Sequence, residues 1–216
     1  MSCHQPVPID VCLLNGRPYV QGTQMIARAG ELLDPAGARL VQAKFVRLTS
    51  RAVCALTQSP AADAGETIGT VQFSRGAEPI VYRLIELPHP APQRNRATHF
   101  EITELRHDHA LSGRFAFRCN ADFEGVLDAL IQGIKMLHES LGVFDVWFSG
   151  LRGFALPLDL AGFEGRGLAQ IVKQRVLGSA PRHQSLLQVT LTQPGVERAI
   201  CGLVSFAFRS GDGHVD

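Results

Sequence analysis

The chain has almost no net charge: across 216 residues, 21 Lys and Arg stand against 20 Asp and Glu, a formal +1. Without a basic excess there is no electrostatic footprint for a nucleic-acid backbone or an anionic membrane surface, and neither partner is expected. Lysine is scarce, with only Lys44, Lys135 and Lys173, so the positive groups are mostly arginines. The five cysteines, Cys3, Cys12, Cys54, Cys119 and Cys201, are odd in number, scattered and free of any C-x-x-C pair. That spacing argues against a disulfide framework and against a zinc site, and no metal or cofactor is expected. No uncharged apolar run reaches the roughly 18 residues that a membrane span needs. The opening Met-Ser-Cys-His-Gln-Pro-Val-Pro has no basic stretch leading into an apolar one, so a soluble, cytoplasmic protein is expected.

What the chain does have is apolar content, 45%, and 21 glycines, enough for one fair-sized domain or two small ones. Its clearest punctuation is Pro88-His89-Pro90-Ala91-Pro92, where alternate prolines disfavour both helix and a bonded strand and predict an extended connector. The division expected is an N-terminal half over 1–87, a connector over 88–97 and a C-terminal half over 98–216.

In the first half, residues 9–14 are a short apolar run. Met25, Ile26, Ala29, Leu32 and Leu33 fall at helical spacing within Thr23–Leu33, before the stop Asp34-Pro35-Ala36-Gly37. Leu40–Thr57 reads as a long strand with Val41, Ala43 and Phe45 on one side of the pleat, and Ile68–Ser74 and Ile80–Leu87 as two more around a turn.

In the second half, Thr98–Leu105 and Leu111–Cys119 read as strands, the latter alternating Phe115, Phe117 and Cys119 with Arg114, Ala116 and Arg118. The strongest helix is Asp122–Leu141, with Val126, Leu127, Leu130, Ile131, Ile134 and Leu137 along one face and Gly142 as its stop. Phe144–Leu156, Leu168–Leu177, and the pair Leu186–Thr192 and Arg198–Phe208 around Gln193-Pro194-Gly195 are the remaining strands. One helix followed by several antiparallel strands, twice over, predicts an α+β layout in which each sheet wraps its own helix.

The second half resembles a known family over roughly Thr98–Arg209. Gly113-Arg-Phe-Ala-Phe-Arg-Cys, then Leu127-Asp128-Ala129-Leu130-Ile131-Gln132, then Val146-Trp-Phe-Ser-Gly-Leu-Arg-Gly-Phe-Ala-Leu-Pro157 are similar to the hot-dog fold of 3-hydroxyacyl thioester dehydratases. The likeness extends both to the fatty-acid 3-hydroxydecanoyl dehydratase and to polyketide-synthase dehydratase domains. Pro18-Tyr-Val-Gln-Gly22 and Gln42-Ala-Lys-Phe-Val-Arg-Leu48 more faintly resemble the first hot dog of the polyketide enzymes. The resemblance implies a double hot dog handling 3-hydroxyacyl or 2-enoyl chains on acyl carrier protein or CoA, in fatty-acid or polyketide-type biosynthesis. It also implies Asp128 as the acid and Gln132 as the group that orients it. In the polyketide enzymes a histidine precedes the helix glycine by four residues and a proline follows it by five; here Pro18 and Ala27 occupy those places around Gly22. The fatty-acid enzyme carries its histidine in the loop before the aspartate helix, which here reads Cys119-Asn-Ala-Asp-Phe-Glu-Gly125. The family base is missing from both.

Dehydration needs a base for the α-proton, donors for the enolate oxygen and an acid for the departing hydroxyl. Backbone N–H groups at a helix N-terminus polarise a carbonyl, and Gly22 and Thr23 are the candidate donors. A buried carboxyl stays protonated more readily, which suits Asp128, and Gln132 lies one turn on. The same two residues also belong to a polar stripe, Glu124, Asp128, Gln132, Lys135 and Glu139, of the kind any solvated helix face shows. Tyr19 and Arg17 flank the vacant histidine position as candidate contacts to the thioester oxygen, or are an ordinary turn tyrosine and surface arginine.

His107-Asp108-His109 has a metal-like spacing without further ligands and reads as a polar turn. His99 and His138 either approach a site or are satisfied structural histidines. Arg94, Arg96 and Arg106 suit an acidic carrier or a CoA phosphate, and equally suit solvent. Two alternatives to a dehydratase stand beside it. One is a non-catalytic hot-dog subunit that binds acyl thioesters or completes a histidine-bearing hot-dog or ketosynthase-like partner. The other is a thioesterase or acyltransferase on the same fold.

Overall fold

The computed structural model describes residues 6–57, 66–95, 100–108, 111–160, 163–179, 182–193 and 199–209. The chain forms two compact units, Met1–Thr98 with Leu156–Asp159, and His99–Ala155 with Leu160–Asp216. Each contains one α-helix, and the antiparallel strands belong to one 11-stranded sheet, which corrects the expectation of two sheets each wrapped around its own helix; the arrangement is α+β.

The first unit contains β1 (Val7–Ile9), β2 (Leu13–Leu14), α1 (Gly22–Gly30), β3 (Ala38–Phe45), β4 (Arg51–Thr57), β5 (Thr67–Arg75), β6 (Glu78–Pro90) and β7 (Gln93–Arg94). The sheet order is β1-β4-β6-β5-β3, while β2 and β7 form a separate parallel pair. Met25, Ile26 and Ala29 of α1 are buried, as are Leu40, Val53, Ile68, Val71, Phe73 and Leu84 of the strands.

Three expectations for this half are corrected. The helix stops at Gly30, three residues early, and Leu32 is exposed. The long strand Leu40–Thr57 is two strands, because Thr49 turns the chain: its Oγ1 accepts from the Arg51 N–H at 3.0 Å and its carbonyl from the Val20 N–H at 2.8 Å. A bulge between Leu40 and Gln42 then changes the parity of β3, burying Leu40 and Ala43 and leaving Val41 and Phe45 half-buried.

The proline-rich segment is also more ordered than a bare connector. β6 runs through Pro88 to Pro90, with Arg51 opposite Pro90. Proline forfeits its N–H but keeps its carbonyl, and the Pro92 carbonyl accepts from the Leu13 N–H at 2.8 Å while the Ala91 N–H donates to Ser50 at 3.0 Å.

The second unit contains β8 (Phe100–His107), β9 (Gly113–Cys119), α2 (Phe123–Ser140), β10 (Trp147–Pro157), β11 (Arg166–Ser179), β12 (Arg182–Thr192) and β13 (Ile200–Arg209). Its sheet order is β10-β13-β12-β11-β9-β8, with every pair antiparallel. The last residues of β10, Leu156 and Pro157, belong with the first unit, where the Leu158 N–H donates to the Ala38 carbonyl at 2.9 Å.

Phe115 and Phe117 are buried and Arg114 and Arg118 exposed, the alternation that the β9 sequence predicts. α2 contacts β8 and β9 and buries Val126, Leu127, Leu130, Ile131, Ile134 and Leu137. Asp122 caps it, its Oδ1 accepting from the Gly125 N–H at 2.6 Å, and Gly142, at φ 76°, follows its end. Three glycines sit directly under phenylalanine rings. A Cβ on Gly133, Gly167 or Gly202 would lie 2.3, 2.4 or 2.5 Å from ring atoms of Phe115, Phe117 and Phe154 respectively. The turn at Gln193-Pro194-Gly195 lies outside the described residues beyond Gln193, but β12 and β13 pair from Leu191–Ile200 to Arg182–Arg209 as a hairpin.

Candidate functional site

The residues singled out by the dehydratase resemblance divide between the units. Gly22, Thr23, Tyr19 and Arg17 lie in the first, Asp128 and Gln132 in the second.

In the first unit, α1 begins after Gln21, whose extended backbone ends the approach without any side-chain cap. Uncapped, the first N–H groups of the helix, at Gly22 and Thr23, carry the positive end of its dipole. The Thr23 side chain is buried, 2% exposed, and its Oγ1 has no hydrogen-bond partner among the described residues. Next to it, Gln24 is buried as well, its Oε1 accepting from the Cys12 N–H at 2.6 Å and its Nε2 donating to Cys12 Sγ at 3.6 Å. Sequence reading missed Gln24; a polar residue on the buried side of a short helix was its only signal. Tyr19 and Arg17 are half-buried, and the Arg17 N–H closes a turn onto Leu14 at 3.0 Å. These four residues hold donors and a phenol, a set suited to an anion or a carbonyl oxygen.

In the second unit the polar stripe of α2 is not a uniform solvated face. Glu124 is buried, Asp128, Gln132 and Lys135 are half-buried and Glu139 is exposed, so the stripe sinks into the protein toward the helix N-terminus. The Asp128 Oδ1 is shielded from water. Beside it stands Cys119, the last residue of β9, whose thiol is pushed up to about 12, first by burial and then by the negative charges of Asp122 and Asp128. A thiol so raised stays protonated at neutral pH and is a poor nucleophile. Cys119 was visible in the sequence as the third member of the Phe115–Phe117–Cys119 face, but nothing there tied it to Asp128.

Other candidates separate from this site. His138 is wholly buried: its Nδ1 donates to the Ile134 carbonyl at 2.8 Å, which leaves Nε2 to accept from the Ser185 hydroxyl at 3.0 Å. Both ring nitrogens are satisfied, and burial holds the imidazole below the usual histidine range. It is a structural histidine. His99, His109 and Arg96 lie outside the described residues, and His107 is exposed on β8. Arg94 is bound through both terminal nitrogens to Asp10 at 2.9 Å, which lowers the Asp10 carboxyl and raises the guanidinium. Arg106 is an exposed residue of the other unit. Among the described residues no group of three or more His, Cys, Asp and Glu is arranged to hold a metal, and no helix is long and apolar enough to cross a membrane.

No family model and no curated protein matches this sequence. Solved structures do. A conserved protein of unknown function with a hot-dog fold, from Alicyclobacillus acidocaldarius, aligns over 96% of this chain and 92% of its own, at TM-score 0.50 and 9% identity. The chain has a hot-dog fold. Two other hot-dog neighbours are a tesB protein of Mycobacterium avium subs paratuberculosis and the dehydratase domain of the CurJ module of curacin polyketide synthase, both at TM-score 0.51. The first is 13% identical and aligns over 93% of this chain and 91% of its own; the second is 9% identical, over 94% and 86%. At such identities the likeness is one of fold, and hot-dog proteins of differing chemistry share it.

Proposed function

We propose that this chain is a double hot dog, one per unit, that binds acyl thioesters of acyl carrier protein or CoA and acts on the 3-hydroxyacyl or 2-enoyl chain as a dehydratase. The observation that carries this reading is the setting of Asp128. A carboxyl on a helix stripe, with one oxygen shielded from water and a protonated thiol beside it, is placed to donate in its protonated form to a departing hydroxyl. Gln132, one turn on and half-buried, is the positioning residue for that carboxyl. Within the first unit, the uncapped start of α1 at Gly22 and Thr23, with Tyr19 and Arg17 just before it in the chain, offers donors of the kind that a thioester oxygen takes.

The second reading, a non-catalytic subunit that binds acyl thioesters, rests on the vacant histidine positions at Pro18 and in the loop Cys119–Gly125, together with the burial of His138. A thioesterase or acyltransferase role on the same fold is the third. Incubation with 3-hydroxyacyl thioesters separates them. A dehydratase forms the enoyl product, and Asp128→Asn lowers its rate about 10²–10⁴-fold, the usual worth of a positioned acid. Release of free thiol without enoyl product marks hydrolysis. Saturable acyl-thioester binding with no turnover, and turnover only with a histidine-bearing partner, marks the subunit. Equal rates in wild type and Asp128→Asn would remove Asp128 from the chemistry.

A further inference from the structure

The face of the second unit's sheet that carries the exposed side chains of β9 and β11 forms an open groove of about 470 Å³. Arg118 and Arg166 both line it and stand directly opposite one another in the β9–β11 register. Like charges at facing positions repel. Neither guanidinium has an ion pair or hydrogen bond among the described residues, although Glu101 faces Arg118 from β8. Gln193, just after β12, also lines the groove, and its Nε2 is shielded from solvent with no acceptor among the described residues. A buried amide donor without an acceptor is uncommon in a folded chain.

Glu104 completes the charged set. It sits in an irregular stretch of β8, between Thr103 and Arg106, at φ 52°, a left-handed conformation that costs a non-glycine residue free energy. Bulges of this kind re-aim side chains, and Glu104 lines the groove. Leu168, 43% exposed, supplies an apolar surface beside these groups, with the Thr192 side chain next to it.

We propose that this groove binds the phosphate monoester of a small organic molecule. The phosphate lies between Arg118 and Arg166, relieving their repulsion through charge-assisted hydrogen bonds, and accepts from Gln193 Nε2. The body of the ligand covers Leu168, and a hydroxyl or N–H on it donates to the Glu104 carboxylate. The combination of two cations with one carboxylate favours a ligand whose body donates to Glu104, whereas an inorganic anion seated between the arginines has no body to cover Leu168 or to reach Glu104 and feels only its repelling charge. The volume is in the range of small-molecule sites and well above that of phosphate alone. The groove is distinct from the Asp128 setting and does not depend on the proposed dehydratase chemistry.

Calorimetric titration of the full chain with adenosine 5′-monophosphate and with inorganic phosphate tests the assignment. The nucleotide is expected to saturate one site and to bind more tightly than inorganic phosphate. Arg118→Gln and Arg166→Gln are each expected to weaken it about tenfold or more, the worth of a lost charged hydrogen bond. Glu104→Gln weakens the nucleotide while tightening inorganic phosphate, a crossed effect that general charge attraction does not give. Arg118→Lys keeps the charge, removes the fork and is expected to fall between, which holds the test open if a glutamine variant folds poorly. Absence of saturable binding, wild-type affinity in the arginine variants, or equal affinity for nucleotide and inorganic phosphate would overturn the proposal.

Discussion

The His138–Ser185 pair allows stability and pH dependence to be worked from the same two side chains. Both are fully buried, and His138 lies against the rings of Phe206 and Phe208, with centroids 5.2 and 6.1 Å away. Removing the hydroxyl with Ser185→Ala leaves His138 Nε2 buried without its donor, which costs about 1–3 kcal/mol. Replacing both partners by apolar groups, as His138→Leu with Ser185→Ala, removes the unmet acceptor as well as the bond. The double variant is therefore expected to lose less than the sum of the two single ones.

The pH dependence has a definite sign. Burial, the largest influence, opposes the positive imidazolium, and Lys135 opposes it further, while the hydrogen bond to Ile134 works the other way. With the folded imidazole held below its ordinary range, the unfolded chain takes up the proton first as pH falls. The contribution is fully present above about pH 6.5 and is lost below it, with a slope approaching about 1.4 kcal/mol per pH unit. The assay is chemical denaturation of wild type and His138→Leu at several pH values. The difference between the two, rather than either curve alone, isolates this residue from the other seven of the eight histidines. A difference that stays constant below pH 6.5, or a Ser185→Ala variant as stable as wild type, would refute the argument.

Three further outcomes follow from contacts already described. Gly133→Ala would place a methyl 2.3 Å from the Phe115 ring, and thermal melting should show a loss of about 1–3 kcal/mol or more, partly recovered by Phe115→Leu in the same chain. Asp122→Ala removes the cap of α2 and should cost about 0.5–2 kcal/mol in denaturant titration, with Asp122→Asn close to wild type. Cys119 should alkylate slowly at mildly alkaline pH compared with the exposed Cys201, and Asp128→Asn should shift its rate–pH profile downward because a negative neighbour is gone; mass spectrometry of the two peptides reads both.

Much of this architecture was written in periodicity. The 3.6-residue spacing of Val126, Leu130, Ile134 and Leu137 and the two-residue alternation in Phe115–Cys119 each survive folding because burial on one face enforces them. What the pattern could not show were events set by single long-range partners. The break at Thr49 depends on Val20, and its hydroxyl is also shared with Glu86, 37 residues away. The bulge in β3 reverses the face of its neighbours with no marker in the local sequence. In the candidate site, the helical stripe containing Asp128 and Gln132 was readable, but its descent from exposed Glu139 to buried Glu124 was not. Periodicity states which residues share a face and says nothing of how deep that face lies. The partner of His138 was invisible for the same reason, since Ser185 sits 47 positions away.

The three glycines lying beneath Phe115, Phe117 and Phe154 bear on how this protein can vary. Each glycine and its ring occupy one fixed volume, so neither position is free to change alone: a larger residue beneath requires a smaller one above. Among natural variants of this chain the members of each couple should therefore exchange bulk together, Gly with Phe or Ala with Leu, and such trades would mark spatial neighbours that lie far apart in the sequence. A library that randomises both members of a couple should recover far more folded proteins than one that randomises either member alone.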